Sequence, residues 1–446
     1  LLGRVWDAPR CGRQRRACGP RGRAEDWPPM ESPAPERPSA YHRRLFALLS
    51  LATFFEGFDT ALAGLVLPVL GDEFGAGPEE LGGVLSLAGV GMILAFVAIR
   101  AADRIGRRPV LLAAVAGFAV FTLATAFANG LVAFTALQFA ARLFLVTELA
   151  LAYVMLSEEL PAAVRGRANG WLGAFASVGA AAPMLLLAPL MEAGTGWRGL
   201  FALGALPLVL WPVYARVVRE PELFVQRRAT DPPPPLREEG REWLRVLRPG
   251  TRRTFLGAAS LWWTVNFWSG TALTFFTFYV FRERGWTPEH LTLLPWGMIP
   301  AGLVGYAGAG LCMDRFGRRP AATFFLLASV LSTWLCFRSG SDAAIYAGYF
   351  GMVACGGLWT IAATVTAELF PTELRATATG LANNVVGRTG IVLGPLCAGA
   401  LAEAIGASAA VSLLVLVNLL CIPVIWLLLP ETRGISLTGA RPESHR

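Results

Sequence analysis

Charged residues are scarce in this chain, and what is missing excludes several functional classes. Only 16% of the 446 residues are charged, whereas soluble domains average about 25%. The sequence has no Cys-x-x-Cys pair and no Cys/His cluster, so it indicates neither a metal site nor a disulfide framework. It also lacks a Walker-type phosphate loop and any nucleophile, base and orienting residue in a recognisable set. The sequence therefore predicts neither ATP-driven chemistry nor an enzyme.

Lysine is absent, so all 39 cationic side chains other than histidine are arginine. The net charge of +8 could suggest nucleic acid. However, the arginines gather in short loops and in both tails, which is the expected distribution for loops on the cytoplasmic side of a membrane. We therefore expect a lipid bilayer, and no nucleic acid, as the partner of this charge.

Long apolar runs account for the low charge. Each is about 20 residues long, which is the length that crosses a bilayer as a helix. The runs lack the alternating pattern of membrane barrel strands, so helices are favoured. The sequence predicts an all-α integral membrane protein with twelve spans, at about 44–70, 81–99, 109–129, 131–156, 168–191, 197–218, 253–281, 290–312, 320–338, 343–366, 376–404 and 408–429.

The spans divide into two groups of six. Residues 43–218 and 253–429 are predicted to form two six-helix bundles joined by a cytoplasmic linker at 219–252, with a cytoplasmic tail at 430–446. Residues 1–42 are a basic, Arg/Pro/Gly-rich extension that is predicted to be disordered. Met30 is a candidate for the true start of the protein, and the alternative is a disordered cytoplasmic tail. The arginine-rich loops place both termini on the cytoplasmic side of the plasma membrane.

Two charged motifs occur once in each group of spans. Residues 102–109 recur as residues 313–320, and a Glu-x-x-Pro-x-x-x-Arg stretch recurs about 210 positions later. Two motif pairs at nearly the same offset indicate that the chain is an internal duplication. The charged or turn-forming members are Asp103, Arg104, Gly106, Arg107, Arg108, Glu158 and Arg165 in the first copy, and Asp314, Arg315, Gly317, Arg318, Arg319, Glu368 and Arg375 in the second.

The duplicated motif after the second span of each half resembles the signature loop of the major facilitator superfamily. The resemblance extends over residues 43–437 and implies a twelve-helix carrier with a latch on its cytoplasmic face. In the first copy we expect Asp103 to accept hydrogen bonds from helix N-terminal amides and Gly106 to permit a tight turn. The arginines are predicted to pair with carboxylates such as Glu158. The alternative is that the arginines only orient the chain in the membrane.

Ionisable residues inside spans are costly in lipid and indicate function. In the first span Glu56 and Asp59 lie three positions apart, on one helix face together with Thr53 and Thr60. Such carboxyl groups can gain and lose a proton, and no histidine lies in a span to do so instead. We predict proton coupling through Asp59 assisted by Glu56, and a static ion pair with a buried arginine is the alternative. The stretch Phe55–Thr60 resembles that of aromatic-acid/proton symporters.

Candidate substrate ligands lie in the fourth and eleventh spans. Arg142 could hold a substrate carboxylate or neutralise Asp59, and the role of Glu148, on another face of the same helix, stays open. In the eleventh span a guanidinium with amide neighbours suits a carboxylate ligand, and a structural ion pair is the alternative. The residues of this second group are Asn383, Asn384 and Arg388.

The seventh span contributes Asn266 and Trp268 as weaker candidates, since aromatic residues also form the usual belts at membrane interfaces. Taken together, the sequence predicts a monomeric secondary carrier that uses the proton gradient and no cofactor. It is predicted to take up a small organic acid, with aromatic carboxylates among the candidates, by alternating access. A sugar or polyol symporter and a drug/proton antiporter are the alternatives among carriers. A non-transporting membrane sensor is the alternative from a different class.

Overall fold

A computed structural model of the protein describes residues 39–160, 162–230, 243–370 and 372–432. All regular elements in these ranges are helices. The predicted extension up to residue 38, including Met30, lies outside them, as do the middle of the linker and the tail from residue 433.

The first half of the chain forms six membrane-spanning helices, which we call spans 1 to 6. The sixth is interrupted at residues 205–206. The bounds are Ala40–Phe74, Pro78–Ile105, Arg107–Thr125, Leu131–Glu159, Ala162–Glu192, and Gly196–Gly204 continued by Pro207–Val217. The linker contributes a helix at Glu222–Thr230 and a short 3₁₀ turn at Leu244–Leu247.

The second half forms spans 7 to 12, several of which contain a break. Span 8 begins with a 3₁₀ turn, spans 10 and 12 are interrupted by two-residue turns, and span 11 contains a π-helical segment. The bounds are Arg252–Arg282 for span 7, Pro288–Leu293 with Leu294–Phe316 for span 8, Arg318–Arg338 for span 9, Asp342–Ala354 with Gly357–Leu369 for span 10, Thr372–Thr379, Gly380–Gly387 and Arg388–Ile405 for span 11, and Ala407–Leu414 with Val417–Leu428 for span 12.

The twelve predicted spans are confirmed as helices, with ends that differ from the predicted ones by up to six residues. Eleven of the described helices are long and apolar enough to cross a membrane by length and composition. Span 7 falls outside that criterion because it carries tryptophan, asparagine and threonine, yet most of its residues are buried inside the protein. A polar helix of this kind is stable at membrane depth when its neighbours, and not lipid, surround it.

Glycines bring the helices of each half close together. A Cβ atom on Gly179 of span 5 would lie 1.9 Å from the carbonyl oxygen of Phe54 in span 1. In the second half, a Cβ atom on Gly390 of span 11 would lie 2.4 Å from the carbonyl oxygen of Trp263 in span 7. Helix pairs in membranes commonly approach through such small residues. Spans 1 and 5, and spans 7 and 11, are therefore fixed in equivalent ways in the two halves.

The two halves meet at the end of the molecule opposite the arginine-rich loops. Arg282 of span 7 forms an ion pair with Asp72 of span 1 at 2.6 Å. Nearby, Gly82 of span 2 and Gly399 of span 11 approach so closely that a Cβ on Gly82 would lie 3.0 Å from the Gly399 Cα. Contacts of this closeness hold the halves together on that side and leave side chains from both halves facing each other in the middle of the bundle.

Candidate functional site

The two acids of span 1 are buried in the middle of the first half. Only 8% of Glu56 and 1% of Asp59 are exposed. The hydroxyl of Thr122, on span 3, donates a hydrogen bond of 2.9 Å to Asp59 Oδ1. The hydroxyl of Thr60 donates one of 3.2 Å to Glu56 Oε1. Asp59 Oδ2 is buried and has no hydrogen-bond partner among the described residues, so this carboxyl group has free capacity for a proton.

Two guanidinium groups from opposite halves converge near these acids. Arg142 lies on span 4 of the first half, and Arg388 lies on span 11 of the second. Each points an N–H group at the sulphur of Met92 on span 2, at 3.9 Å from Arg142 and 3.3 Å from Arg388. The Nε atoms of both arginines are buried and have no hydrogen-bond partner within the described part of the chain.

The charges of these groups interact without forming close ion pairs. Arg142 is near enough to Asp59 and Glu56 to interact electrostatically with both, and Glu56 interacts in the same way with Arg388. In the ranges that the structure describes, neither arginine has a carboxylate oxygen within 4.0 Å. The site therefore holds two acids and two guanidiniums near one another. Asp59 Oδ2 and the Nε atoms of both arginines have no hydrogen-bond partner among the described residues.

Glu148 lies deeper in the first half. It is fully buried, and both carboxylate oxygens lack a hydrogen-bond partner among the described residues. It interacts electrostatically with Glu56, Tyr153 and Tyr214. Because the side chain has no exposed surface, this position suits a carboxyl group that interacts with Glu56 better than one that touches a substrate. The predicted substrate contact of Glu148 stays a prediction.

The asparagines of span 11 lie in the π-helical segment that precedes Arg388. The backbone N–H of Arg388 bonds the carbonyl of Asn383, five residues earlier, and both Asn383 and Asn384 are half-buried. Single π turns inside α-helices occur often at functional sites. Asn266 of span 7 faces this segment, and its amide donates a hydrogen bond of 2.8 Å to the carbonyl of Trp262.

Trp268 occupies a different environment from the one the sequence suggested. Its side chain is fully buried, its indole N–H donates to the hydroxyl of Thr333 at 3.1 Å, and its ring lies beside Trp359. These partners belong to spans 9 and 10 of the same half. The position favours a packing role for Trp268 over the predicted contact with a substrate.

The duplicated arginine motifs form one cluster in each half. Arg107 binds Glu158 through two hydrogen bonds of 3.0 and 3.2 Å, and it also pairs with Asp103 at 3.1 Å. Arg318 likewise binds Glu368 through two hydrogen bonds, of 2.9 and 2.6 Å. Bidentate pairs of this kind fix geometry as well as charge. In this structure both pairs join spans within one half, so each motif braces its own bundle.

Two glutamates that sequence reasoning missed complete these clusters. Glu220 accepts hydrogen bonds from the backbone amides of Arg107 and Arg108, at 2.5 and 3.1 Å, where span 3 begins. Glu431 does the same for the first amides of span 9, at 2.8 and 3.1 Å. The prediction that Asp103 accepts such amides was therefore wrong, because Asp103 is at the C-terminal end of span 2. The signal was available, since both glutamates follow the last span of their half at an offset of 211 (431 minus 220).

The third arginine of each motif also has a different partner from the one predicted. Arg108 donates to the carbonyls of Val218 and Ala215, both at 2.8 Å, and Arg319 donates to the carbonyl of Leu429. These carbonyls end spans 6 and 12, where helices leave acceptors unsatisfied and a cation is favourable. The prediction that Arg108 pairs with a carboxylate side chain was thus wrong.

The glycines of the two motifs behave as expected. Gly106 has φ 124° and Gly317 has φ 99°, a region that favours glycine. A Cβ on either residue would also lie 2.8 Å from a carboxylate oxygen, of Glu220 and Glu431 respectively. The predicted tight turns are present in both halves.

The remaining gate candidates are more peripheral. Arg104 and Arg375 are half-buried at the ends of helices, whereas Asp314 and Arg315 are exposed. The backbone of Arg165 lies at the start of span 5, and its side chain is outside the described part of the structure.

The whole-chain pattern matches one known family. The sequence profile of the Major Facilitator Superfamily matches residues 49–387 and 292–444. The chain belongs to the Major Facilitator Superfamily. It is therefore a multi-pass membrane protein of a transporter fold, and the similar proteins found are transporters and not enzymes.

Among bacterial proteins the similarity extends over most of the chain. A putative metabolite transport protein of Haemophilus influenzae is 27% identical over 388 residues, which is 86% of this chain and 94% of that protein. The niacin transporter NiaP of Acinetobacter baylyi is 26% identical, covering 80% and 86%. The 4-hydroxybenzoate transporter PcaK of Pseudomonas putida is 28% identical, covering 80% and 85%.

Solved structures agree on the fold. A bacterial homologue of the human lysosomal transporter Spinster superimposes with a TM-score of 0.71 at 16% identity, covering 87% of this chain and 97% of that structure. The xylose transporter XylE from E. coli, in an inward open conformation, gives 0.70 at 16% identity, covering 89% and 98%. At these identities the likeness establishes the architecture alone, and the chemistry must be argued from the site.

Proposed function

We propose that this transporter takes up a small organic acid, in particular an aromatic carboxylate, together with protons. The observation that carries the proposal is the pair of guanidiniums, Arg142 and Arg388, that point at one place from the two halves of the molecule. A carboxylate has two oxygens, and charge-assisted hydrogen bonds to arginine are among the strongest available in proteins. A ligand held by both arginines would contact both halves, as alternating access requires.

The acids beside the arginines supply the proton coupling in this proposal. Each proton taken up by Glu56 or Asp59 removes a negative charge that interacts with Arg142, and for Glu56 with Arg388 as well. The site then attracts an anion more strongly. Because coupling between two ligands is reciprocal, a bound anion favours proton uptake to the same extent. Asp59, with one unpartnered buried oxygen, is the main proton carrier, and Glu56 assists it.

The similar proteins support an acid as the substrate. Relatives that cover most of this chain include transporters of 4-hydroxybenzoate, niacin and gallate. The likeness to the xylose transporter XylE adds no support to the sugar alternative, because its low identity carries no substrate information. Sugar recognition relies mainly on amides and hydroxyls, whereas this centre offers two guanidiniums. We place the arginine-rich loops and both termini on the cytoplasmic side of the bacterial inner membrane.

The test is transport by the purified protein in liposomes with an imposed inward proton gradient. Labelled benzoate, 4-hydroxybenzoate, nicotinate and aliphatic acids are compared with xylose. We expect gradient-driven accumulation of at least one aromatic acid. Arg388→Gln should weaken it about 10- to 100-fold, since a hydrogen bond to a charged group is lost. Arg216→Gln, an identical change at an exposed arginine, is the matched control and should transport normally.

Three other outcomes would overturn the proposal. Uptake of xylose without any acid would make the arginines structural and favour a sugar symporter. Exit of preloaded hydrophobic cations in exchange for protons would favour an exporter. The absence of transport of all these compounds, by protein shown to be folded, would favour a non-transporting sensor.

A further inference from the structure

The two central arginines converge on the sulphur atom of Met92, a side chain that is not part of the proposed transport mechanism. Met92 lies on span 2, is 2% exposed, and receives an N–H group from Arg142 of its own half and from Arg388 of the other half. The two donating nitrogens are therefore no more than about 7 Å apart. One small acceptor can reach both.

A thioether is a poor partner for two guanidiniums. Methionine sulphur is a weak acceptor, whereas a carboxylate offers each guanidinium a charge-assisted hydrogen bond of about 2.8 Å. The buried Nε atoms of Arg142 and Arg388 have no partner within the described residues, so their capacity is not used up by the protein. An anion would therefore compete favourably for the position of the sulphur.

The surroundings of Met92 allow it to move. Its apolar contacts form a small cluster with Ala95 and Val146, bordered by Ile99 and Ile391, separate from the main core of the protein. Methionine is unbranched, with three rotatable bonds, and adapts readily to different spaces. Moving it requires no rearrangement of the large core.

We infer that Met92 is a built-in placeholder for the substrate carboxylate: its sulphur occupies the position between Arg142 and Arg388 until the acid displaces it. The inference rests on the proposed function and deepens it, because it makes Met92 a residue that sets the affinity for the anion. It also predicts that affinity depends on how well residue 92 competes for the two guanidiniums.

The test compares two substitutions of nearly the same size. Met92→Gln places a stronger acceptor, an amide oxygen, between the arginines and should raise the Kd for the acid about tenfold. Met92→Leu removes the acceptor and should lower the Kd about two- to fivefold, because the guanidiniums then lose nothing when the acid binds. Binding of labelled benzoate, 4-hydroxybenzoate and nicotinate to the purified full-length protein is measured at equilibrium, with benzamide as the uncharged analogue.

The controls separate this role from packing. Met184→Gln introduces the same amide at a methionine of similar burial on span 5 and should leave the Kd unchanged. Benzamide binding should be equally weak in all variants. Equal acid affinity in the wild type, Met92→Leu and Met92→Gln would overturn this inference and leave the proposed function intact. If the wild-type protein binds none of the acids, both fail. If Met92→Gln does not fold, the Met92→Leu result decides the matter alone.

Discussion

The two halves of the molecule place different chemistry at the same structural position. Asp59 of span 1 accepts a hydrogen bond from Thr122 of span 3, and Trp268 of span 7 donates one to Thr333 of span 9. The two threonines are 211 positions apart (333 minus 122), as are the arginine motifs that precede them. The threonine is thus repeated, while its partner is a carboxyl group in one half and an indole in the other.

This difference indicates that the duplication kept the helix arrangement in both halves while the buried polar side chains diverged. The buried carboxyl groups Glu56, Asp59 and Glu148 all lie in the first half, and the counterpart of Glu148 is the fully buried Leu358. The second half contributes Arg388, whose counterpart is Ser177. In the proposed mechanism a proton carried by the first half and an anion held by arginines of both halves meet at the interface, which couples their movement.

A second difference explains how Arg388 acquired its position. Gly170 and Gly380 are 210 positions apart, whereas Gly179 and Gly390, which pack against equivalent carbonyls, are 211 apart. The additional residue falls within the π-helical segment of span 11, while span 5 is α-helical throughout. A one-residue insertion of this kind is what a π turn accommodates. It turns the helix locally just before Arg388.

The largest expected effect comes from removing the acid that distinguishes the halves. Asp59→Asn should abolish proton-driven accumulation, a loss of roughly 100-fold or more in rate, because the amide cannot carry a proton. Exchange of labelled for unlabelled acid across the membrane, with no gradient, should persist because Arg142 and Arg388 are intact. Accumulation and exchange are measured in the same liposomes.

The counterpart substitution sharpens the comparison. Trp268→Phe removes the indole N–H at the equivalent position and should leave proton coupling intact. It should cost at most about 1–2 kcal/mol of stability, because one hydrogen bond is lost while the Thr333 hydroxyl keeps its bond to the Ser329 carbonyl. Normal accumulation by Asp59→Asn, or loss of coupling in Trp268→Phe, would contradict the proposal that proton coupling depends on Asp59 and not on Trp268. Glu192→Gln, at an exposed acid, controls for the change of charge.

The sequence was sufficient to predict the parts of the fold that depend on long, repeated patterns. Apolar length gave the twelve spans, and the offset between motifs gave the two halves. Glu56 and Asp59 were recognisable because an acid is costly in lipid, and the structure brings them near the arginines of spans 4 and 11.

Other features depend on tertiary contacts that no local pattern encodes. Trp268 could not be distinguished from a cavity residue, since an aromatic ring suits the core, the lipid boundary and a binding site equally well. Met92 carries no charge and stands out only when two guanidiniums are seen to converge on it. The π turn of span 11 accommodates one additional residue between Gly380 and Gly390, which the sequence shows only as a one-residue change of offset.

An intermediate effect is expected at the glycines that fix the two helix pairs. Gly179→Ala and Gly390→Ala each place a methyl group against a backbone carbonyl, at 1.9 and 2.4 Å, and overpacking of this kind costs about 1–3 kcal/mol. Both variants should be less stable in detergent. Gly390→Ala should also weaken acid binding because Arg388 is two residues away. Equal acid affinity in the two variants would contradict the local link between this glycine and Arg388. Gly83→Ala is the control, because a Cβ atom added at Gly83 has no neighbouring atom within 4 Å.

The smallest effects should come from the part of the molecule in which the halves are alike. Glu220→Gln and Glu431→Gln each weaken a carboxylate that accepts two amides at the start of a helix, and losing such a cap costs about 0.5–2 kcal/mol. Because the hydrogen bonds are repeated in both halves, the two variants should lower the melting temperature by similar amounts, with acid affinity unchanged. Thermal unfolding in detergent, with Glu192→Gln as the control, measures this. A clearly larger loss of stability at one of the two sites would contradict this expectation. It would mean that the arginine clusters, like the central residues, differ between the two halves.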